Sequence, residues 1–331
     1  MSDMEEKLNI YTIQNEAGMK AEILNYGSTI MSLWVPDTLG NLYDVLLGYR
    51  LPASYLQPDN PYFNCAVGRY ANRIKNGYFA LNEIGFTLDT GGQKHCLHSG
   101  PMGFDKKLWQ VVEQSNNEIT LGLISENGEG GFPGTLEVKL IYRLTENNII
   151  HIEYISRCDQ DCPVNLTFHG YFNLGGKGTG GHQLSIDAMS YLEVDGDLIP
   201  SGRTLSVENS GYDLREGRLL AELYAEGITL DHCYVVNTQG NVQQVAKLVG
   251  EQLAMTVHTN LPGLQVYTGN GLHPGIEGVK KAGGYTAFDG VCLEAQYYPD
   301  APNHPHFPSA VIKAGEVRTD IIEYSFTSIM A

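Results

Sequence analysis

The stretch Leu136-Glu137-Val138-Lys139-Leu140-Ile141-Tyr142-Arg143-Leu144 has the clearest periodicity in the chain. Apolar side chains occupy every second position, whereas Glu137, Lys139 and Arg143 fall on the opposite face. A period of two is the pattern of a strand that buries one face. Residues 149–156 alternate in the same way, so the two stretches predict strands that share a core.

Working outward, the chain continues as short β-prone runs separated by turn signals. A single helix is predicted, over residues 213–224. The remaining strands are predicted at residues 8–13, 19–24, 26–37, 45–48, 109–112, 118–125, 165–168, 183–187, 191–194, 233–236, 253–258, 264–268, 309–312 and 318–326. Because there is no βαβ alternation, linker or break in composition, the sequence predicts an all-β fold. We expect residues 1–331 to form a single domain, a large antiparallel β-sandwich with few short helices.

The composition excludes several classes of partner. The net charge of -17, from 21 basic and 38 acidic residues, repels nucleic acid and anionic membranes, so we expect neither as a partner. No apolar run approaches the length that spans a membrane, and the charged residues 1–7 do not resemble a signal peptide. The 6 cysteines lack zinc-ribbon spacing and are expected to be free thiols in a reducing cytoplasm.

Two stretches far apart in sequence carry the candidate chemistry. In Asn165–Leu174 a strand runs into a glycine-rich bend, and His169 lies where the strand ends. Imidazole is the side chain whose charge normally changes near neutral pH. In Val291–Asp300 a carboxylate, Glu294, lies within an apolar, β-prone run. We therefore hypothesise an acid/base pair formed by one imidazole and one carboxylate on a strand.

Other polar residues have both a structural and a functional interpretation. Asn72 and Arg73 belong to Gly68-Arg69-Tyr70-Ala71-Asn72-Arg73-Ile74, which is either a solvated loop or a clamp on a hydroxylated ligand. His95 and His98 are two surface residues, or one of them faces a pocket; nothing beside them completes a metal site. Asp231 precedes a strand and could simply form a turn.

Gln265 lies within an apolar predicted strand, where its amide needs hydrogen-bond partners from the backbone or from a ligand. The chain contains no G-x-S-x-G, no phosphate-binding GK[ST] loop and no G-x-G-x-x-G motif that opens a helix. We therefore do not expect a nucleotide or flavin cofactor.

Several of these segments resemble, in order, those of the aldose 1-epimerase (galactose mutarotase) family. They are Leu24–Gly27 with Pro36-Asp37, Gly68–Ile74, Leu97-His98, Gly131–Gly134, Asn165–Leu174, Tyr267–Asn270 and Glu294–Gln296. The resemblance covers nearly the whole chain. It implies a galactose-mutarotase-type β-sandwich with no cofactor. We also expect no metal, a monosaccharide as partner, a cytoplasmic location, and a monomer or homodimer.

The resemblance also assigns roles to individual residues. By position, Glu294 matches the family's general base and His169 its general acid, and His98 matches a second pocket histidine. Four more match residues that contact the sugar: Asn72, Arg73, Asp231 and Gln265. The sequence departs from the family at Gly170, where a larger residue is expected, and at Ser99, which interrupts a His-Gly-Gly run.

The implied reaction interconverts the α and β anomers of a free hexose such as galactose or glucose. A base removes the proton of the C1 hydroxyl and an acid protonates the ring oxygen, which is worth roughly 10²–10⁴-fold. We expect Glu294 to be ionised and His169 protonated, each supporting the other's charge, and the two to face each other across a sugar ring.

Three alternatives remain open from the sequence. A hexose-6-phosphate epimerase would need a basic pocket, to which Lys94, Arg69 and Arg73 could contribute. A glycoside hydrolase would commonly need two carboxylates flanking the bond, and only Glu294 is a convincing candidate. A non-catalytic sugar-binding module would use Asn72, Arg73 and Gln265 without needing an acid/base pair.

Overall fold

The computed structural model describes residues 3–329. Its largest element is a nine-stranded sheet, here called the large sheet. In spatial order its strands are Gln110–Gln114, Glu118–Ser125, Leu136–Leu144, Ile149–Cys158, Val317–Ser328, Leu253–Thr259, Gln243–Val249, Gln183–Ile186 and Arg218–Leu219. The two alternating stretches seen in the sequence are therefore neighbours, with Leu140 opposite Tyr154.

A six-stranded sheet, here called the site sheet, carries three of the candidate residues, Asp231, Gln265 and Glu294. Its strands in spatial order are Tyr171–Phe172, Val291–Gln296, Gly263–Tyr267, Asp231–Val235, Ser190–Val194 and Pro200–Ser206. A third sheet of four strands precedes both in the chain, with the order Ile10–Gln14, Lys20–Leu24, Thr29–Pro36 and Leu42–Asp44.

Short strand pairs and helical turns connect the sheets. The pairs are Cys162–Pro163 with Val311–Ile312, Thr167–Phe168 with Ala66–Val67, Arg73–Ile74 with Cys96–Leu97, and Tyr78–Leu81 with Ile84–Thr87. The 3₁₀ turns are Glu5–Lys7, Pro52–Leu56, Lys75–Gly77, Gly100–Met102, Phe104–Lys106, Glu129–Gly131, Thr179–Gly181 and Ala301–Asn303. Within residues 3–329 the one α-helix is Leu220–Ala225, and no helix there has the length and hydropathy to cross a membrane.

The large sheet and the site sheet pack face to face. The hydroxyl of Tyr324, in the large sheet, donates to the carbonyl of Leu293 in the site sheet at 2.8 Å. The Phe172 ring lies 4.7 Å from the Tyr324 ring. Alternate residues of Leu136–Leu144 are buried in this layer, because a pleated strand directs successive side chains to opposite faces. The prediction of an all-β antiparallel sandwich is confirmed.

The predicted helix at 213–224 is confirmed only in its last part. Residues before Leu220 form turns: the Arg215 guanidinium binds Asp213 in place of any helical partner, and Gly217 has a φ of +80°. A left-handed glycine ends a turn and cannot continue a right-handed helix.

Two further differences concern short elements. Residues 45–48 were expected to form a strand, but the strand is Leu42–Asp44 and Leu46 forms only an isolated bridge with Phe172. The hairpin Tyr78–Leu81 with Ile84–Thr87 was not predicted. Its turn residues Asn82 and Glu83 have φ values of 51° and 64°, a two-residue turn whose twist suits a hairpin.

Strands Pro200–Ser206 and Gln243–Val249 were also missed. Pro200–Ser206 lies at the edge of the site sheet, begins with proline and is largely exposed. An edge strand needs no alternating apolar pattern, so a periodicity argument does not detect it.

Candidate active site

A cavity of about 290 Å³ opens at the site sheet. All seven residues singled out from the sequence line it: Asn72, Arg73, His98, His169, Asp231, Gln265 and Glu294. Folding thus assembles six separate segments of the chain at one place.

The site sheet positions three of these side chains by its register. Gln265 lies opposite Glu294, and Asp231 lies opposite Tyr267, on adjacent antiparallel strands. Directly paired residues direct their side chains to the same face of a sheet. The side chains of Glu294, Gln265 and Asp231 therefore lie on the same face of one sheet. Side-chain positions on a sheet are more sharply defined than on a loop.

His169 comes from the short turn between Thr167–Phe168 and Tyr171–Phe172. Its backbone is tied on both sides, since its N–H donates to the Cys65 carbonyl and its own carbonyl accepts from the Asn64 N–H, both at 3.0 Å. The ring stacks near Tyr171, with centroids 5.1 Å apart. These contacts hold the imidazole with Nε2 3.8 Å from Glu294 Oε1.

Two hydrogen bonds between Asn72 and His98 hold both residues in position. The Asn72 N–H donates to His98 Nδ1, and the His98 N–H donates to the Asn72 carbonyl, each at 3.0 Å. Because His98 Nδ1 accepts, a neutral His98 ring carries its proton on Nε2. His98 is thus a hydrogen-bond donor within the cavity, 5.5 Å between ring centroids from His169.

Arg73, Asp231 and Gln265 form a polar chain along another wall. Gln265 Nε2 donates to Asp231 Oδ1 at 2.6 Å, and an Arg73 guanidinium nitrogen lies 3.8 Å from Asp231 Oδ2. Each of these side chains is held by another, so the wall is ordered before a ligand arrives. Pre-ordered polar groups lose less conformational entropy on binding.

Two buried oxygens in the cavity have no hydrogen-bond partner among the described residues. They are Glu294 Oε2 and Gln265 Oε1, and both residues are almost fully buried. An unsatisfied buried polar group costs about 1–3 kcal/mol. Both atoms accept hydrogen bonds, so a ligand rich in hydroxyl donors suits them.

Burial dominates the electrostatics of the site. It lowers the pKa of the His169 imidazole to about 4. It also raises the pKa of the Glu294 carboxyl well above its ordinary value; nearby Asp231 adds to that rise and Arg73 opposes it. For His98, burial again lowers the pKa, with further lowering from His169, Arg73 and Lys106.

These shifts oppose the charges expected from the sequence. An ionised Glu294 and a protonated His169 were expected, but burial favours a neutral carboxyl and a neutral imidazole. The expected spacing also differs: the two groups lie side by side at 3.8 Å and do not face each other across a sugar ring. Desolvation has this effect because charged forms lose more hydration than neutral forms.

Two cations that could have contributed to a phosphate pocket lie elsewhere. Arg69 is fully buried and donates to backbone carbonyls of Pro133, Gly134 and Ser125. Lys94 is exposed and pairs with Asp197. Of the three candidate cations, only Arg73 reaches the cavity.

Three tyrosines and an asparagine line the cavity without having been assigned a role. They are Tyr62, Tyr171, Tyr267 and Asn270. Tyr267 could have been found from the sequence, because it follows Gln265 by two residues on one strand. Tyr62 has no such signal; it lies in a loop with a φ of 63°, and only folding places it 4.6 Å from the His98 ring.

The two departures from the family pattern have structural reasons. A Cβ at Gly170 would lie 2.5 Å from Phe168 and 2.9 Å from Phe172, so the two rings occupy the space that a larger residue would need. The Ser99 hydroxyl accepts from the Tyr70 N–H at 2.8 Å. Ser99 is therefore satisfied by backbone and does not line the cavity.

Larger depressions occur elsewhere on the surface. One of about 580 Å³ lies on the outer face of the large sheet and is lined mainly by apolar side chains such as Val112, Leu123 and Ile124. It lacks an adjacent acid/base pair, so the smaller cavity is the better candidate for the active site.

Comparison with known proteins agrees with this geometry. A profile of the family described as aldose 1-epimerase matches residues 9–325. The chain belongs to the aldose 1-epimerase family. The family and the class of enzyme predicted from the motifs are thereby confirmed.

Individual relatives are similar over most of their length. The chain is 36% identical to aldose 1-epimerase of Escherichia coli K12, covering 96% of this chain and 94% of that protein. It is 38% identical to galactose mutarotase of Bos taurus, covering 90% and 88%. A crystal structure of the GalM/aldose epimerase homologue from C. elegans superposes with a TM-score of 0.89, at 26% identity over 98% of this chain and 100% of that one.

Proposed function

We propose that this protein interconverts the α and β anomers of a free hexose, with Glu294 as base and His169 as acid. The observation that carries the proposal is their adjacency, with Oε1 and Nε2 3.8 Å apart in a buried cavity. The C1 hydroxyl oxygen and the ring oxygen of a hexose are bonded to the same carbon. Neighbouring acid and base groups can therefore serve both oxygens at once.

The reaction follows from that placement. Glu294 removes the proton of the C1 hydroxyl while His169 protonates the ring oxygen, and the bond between C1 and the ring oxygen breaks. The resulting open-chain aldehyde turns about its C1–C2 bond. Ring closure on the other face of the carbonyl reverses both proton transfers and regenerates the two side chains.

The neutral free site and the charged reacting pair contain the same number of protons. A neutral carboxyl and neutral imidazole become a carboxylate and imidazolium when one proton moves from Glu294 to His169. Sugar hydroxyls that donate to the buried carboxylate oxygens favour its ionised form. The bound sugar thereby supplies the hydrogen bonds that the free site lacks.

The remaining residues would hold the sugar. His98 offers an Nε2–H donor, Arg73 offers guanidinium donors, and Gln265 Oε1 offers an unused acceptor. Asp231 is oriented by Gln265 to accept from a further hydroxyl. Asn72 fixes the position of His98 and can contribute its own amide. These groups recognise hydroxyls and require neither metal nor cofactor.

The geometry favours a free sugar over its 6-phosphate. A phosphate group is normally met by several cations or backbone N–H groups. Arg69 is engaged with carbonyls and Lys94 with Asp197, which leaves Arg73 already shared with Asp231. We therefore place glucose and galactose ahead of their phosphates.

Polarimetry tests the proposal. Purified protein should accelerate the decay of optical rotation of freshly dissolved α-D-galactose or α-D-glucose, and should act less well on glucose 6-phosphate. The blank is the same solution without protein, because sugars mutarotate spontaneously. An unchanged decay with protein shown to be folded would refute the proposal.

We also propose a single domain, a cytoplasmic location and no nucleic-acid or membrane partner, as a monomer or homodimer. The main hydrophobic cluster contains residues from Ile13 to Phe326, which supports one domain. The six cysteines are all free thiols, which suits a reducing compartment. Size-exclusion chromatography with light scattering measures the oligomeric state.

A further inference from the structure

Three different metal-binding side chains meet beside the cavity. Cys292 Sγ lies 3.6 Å from His169 Nδ1, and the other ring nitrogen, Nε2, lies 3.8 Å from Glu294 Oε1; one ion can bind only one of these two nitrogens. One ligand atom from each side chain lies within 4.8 Å of those of the other two. Within residues 3–329 no other group of histidine, cysteine and acidic side chains satisfies that condition.

The fold explains why the sequence did not indicate this group. Cys292 and Glu294 are two apart on the strand Val291–Gln296, so both side chains point to the same face. His169 is more than a hundred residues away and reaches them from the turn before Tyr171–Phe172. No spacing of the kind seen in zinc ribbons connects the three positions.

The ligand types point to a particular class of ion. Thiolate, imidazole and carboxylate are the three ligands that Zn²⁺ uses in proteins, and three protein ligands leave a fourth position for solvent. Mg²⁺ and Ca²⁺ prefer oxygen ligands and have no use for the sulfur. We propose that Zn²⁺, or another thiophilic divalent cation, binds Cys292, His169 and Glu294 and so inhibits the enzyme.

An independent observation favours a ligand on the carboxylate. Glu294 Oε2 is buried and has no hydrogen-bond partner among the described residues, and Glu294 is only 2% exposed. A buried carboxyl oxygen without a partner favours either a sugar hydroxyl or, once the carboxyl proton is released, a cation. The same atom therefore serves both ligands, and they exclude each other.

Binding requires proton release and no redox step. The buried Cys292 is a thiol at neutral pH, because burial raises its pKa, with Glu294 and Asp231 adding to the rise. Zn²⁺ replaces the thiol proton, and also the carboxyl proton where Glu294 is neutral; the released protons go to solvent. Sulfur and metal keep their oxidation states.

The inhibitory effect rests on the proposed function of His169 and Glu294. Cys292 itself is fully buried and does not line the cavity, whereas His169 and Glu294 do, so an ion that binds all three would enter from the side of the cavity. Bound metal would occupy the acid and the base together. Inhibition should therefore be competitive, with an increased KM and an unchanged kcat.

The test compares the wild type with Cys292→Ser and a matched control, Cys96→Ser. Cys96 is also buried, but its thiol contacts the Asp89 carbonyl at 3.6 Å. It does not contact the acid/base pair. Mutarotation is followed polarimetrically during titration with ZnCl₂, with MgCl₂ as the hard-cation control and with metal-only blanks. Cys292→Ala provides a second variant if the serine perturbs folding, which thermal melts will show.

We expect Zn²⁺ to inhibit the wild type and Cys96→Ser alike, and Mg²⁺ to inhibit neither. Losing an outer-shell partner typically weakens metal binding by roughly 10–100-fold. Loss of the thiolate ligand should shift the half-inhibiting Zn²⁺ concentration of Cys292→Ser by at least that factor. Equal sensitivity of Cys292→Ser and the wild type would overturn the proposal.

A direct readout separates this inference from the proposed function. Cd²⁺ bound to a thiolate gives an ultraviolet charge-transfer absorption, which should appear in the wild type and Cys96→Ser and be absent from Cys292→Ser. That absorption tests the site even if the protein does not catalyse mutarotation. Its absence from the wild type at saturating Cd²⁺ would also overturn the proposal.

Discussion

Glu294 Oε1 lies 3.8 Å from His169 Nε2, and both side chains are almost fully buried at the edge of one cavity. The carboxyl group comes from the second strand of the site sheet, whereas the imidazole comes from a two-residue turn. The strand Tyr171–Phe172, which follows that turn, pairs directly with the strand that carries Glu294, so the distance is a property of the fold. This adjacency leads to the first two predictions.

Substituting either member of the pair should remove most activity without unfolding the protein. Glu294→Gln and His169→Asn keep similar volumes but lose the exchangeable proton site, so each should lower kcat/KM by roughly 10²–10⁴-fold. Polarimetry measures the rates. Glu137→Gln and His273→Asn, both on the surface, serve as matched controls; full activity in either site variant would remove that residue from the mechanism.

The pH dependence should reflect a pair that holds one proton. Below about pH 4, the pKa of His169, the pair gains a second proton and no base remains. Above the raised pKa of Glu294 the pair loses its proton and no acid remains. The profile of kcat/KM should therefore be flat between these limits.

The profile is best measured in the presence of a chelator, with the spontaneous rate subtracted at each pH. An ordinary exposed imidazole would give an acid limb near 6.5. An acid limb at that value would show that burial does not control His169 in the working enzyme.

Gln265 should contribute to binding and not to proton transfer. Gln265→Met removes the amide acceptor that has no partner in the free site, along with the donor to Asp231. An interaction made equally in the ground state and the transition state affects KM while leaving kcat nearly unchanged. Steady-state kinetics on galactose should show an increased KM with a nearly unchanged kcat. A fall in kcat at constant KM would contradict this prediction.

Substitution by methionine should lower stability at Arg69 and weaken sugar binding at Arg73. Arg69→Met leaves several buried carbonyls without their donor, and each such loss costs about 1–3 kcal/mol. Arg73→Met should leave the melting temperature nearly unchanged but weaken sugar binding. Thermal melts and polarimetry distinguish the two, and comparable destabilisation by both would argue against a structural role confined to Arg69.

Gly170 should tolerate no side chain at its present geometry. A Cβ there would approach Phe168 to 2.5 Å, and overpacking of this kind costs about 1–3 kcal/mol. Gly170→Ala should lower both the free energy of unfolding and, by moving the adjacent His169, the activity. Gly196→Ala is the control because nothing lies within 4 Å of its Cβ position; equal stability of the two variants would show that the rings give way.

The fold was largely predictable because its strands alternate strictly where they bury one face. Leu136–Leu144 has the bounds predicted for it, since nine residues of period two leave one register and one core face. Predictions failed where this pattern was absent, as in the edge strand Pro200–Ser206 and in the turns of residues 213–219. Local hydrogen bonds and sheet edges decide such segments, and they leave little periodic signal.

Seven residues that line the cavity could be selected from the sequence because a family resemblance supplied their positions. Residue type and spacing alone left Asn72, Arg73 and Gln265 between structural and functional interpretations. Arg69 and Arg73 illustrate the limit, since they belong to one motif and point to different environments. Which guanidinium reaches the cavity depends on the local backbone path.

By itself, the sequence determined that this chain forms β-sheets with one apolar face and belongs among the aldose 1-epimerases. Only the tertiary structure decided that Glu294 and His169 lie side by side, that both are driven toward neutrality, and that Cys292 joins them. Alternation and motifs are encoded within short segments, so they can be read locally. Distance, burial and pKa arise from segments more than a hundred residues apart, and they exist only once the sheets pack and exclude water.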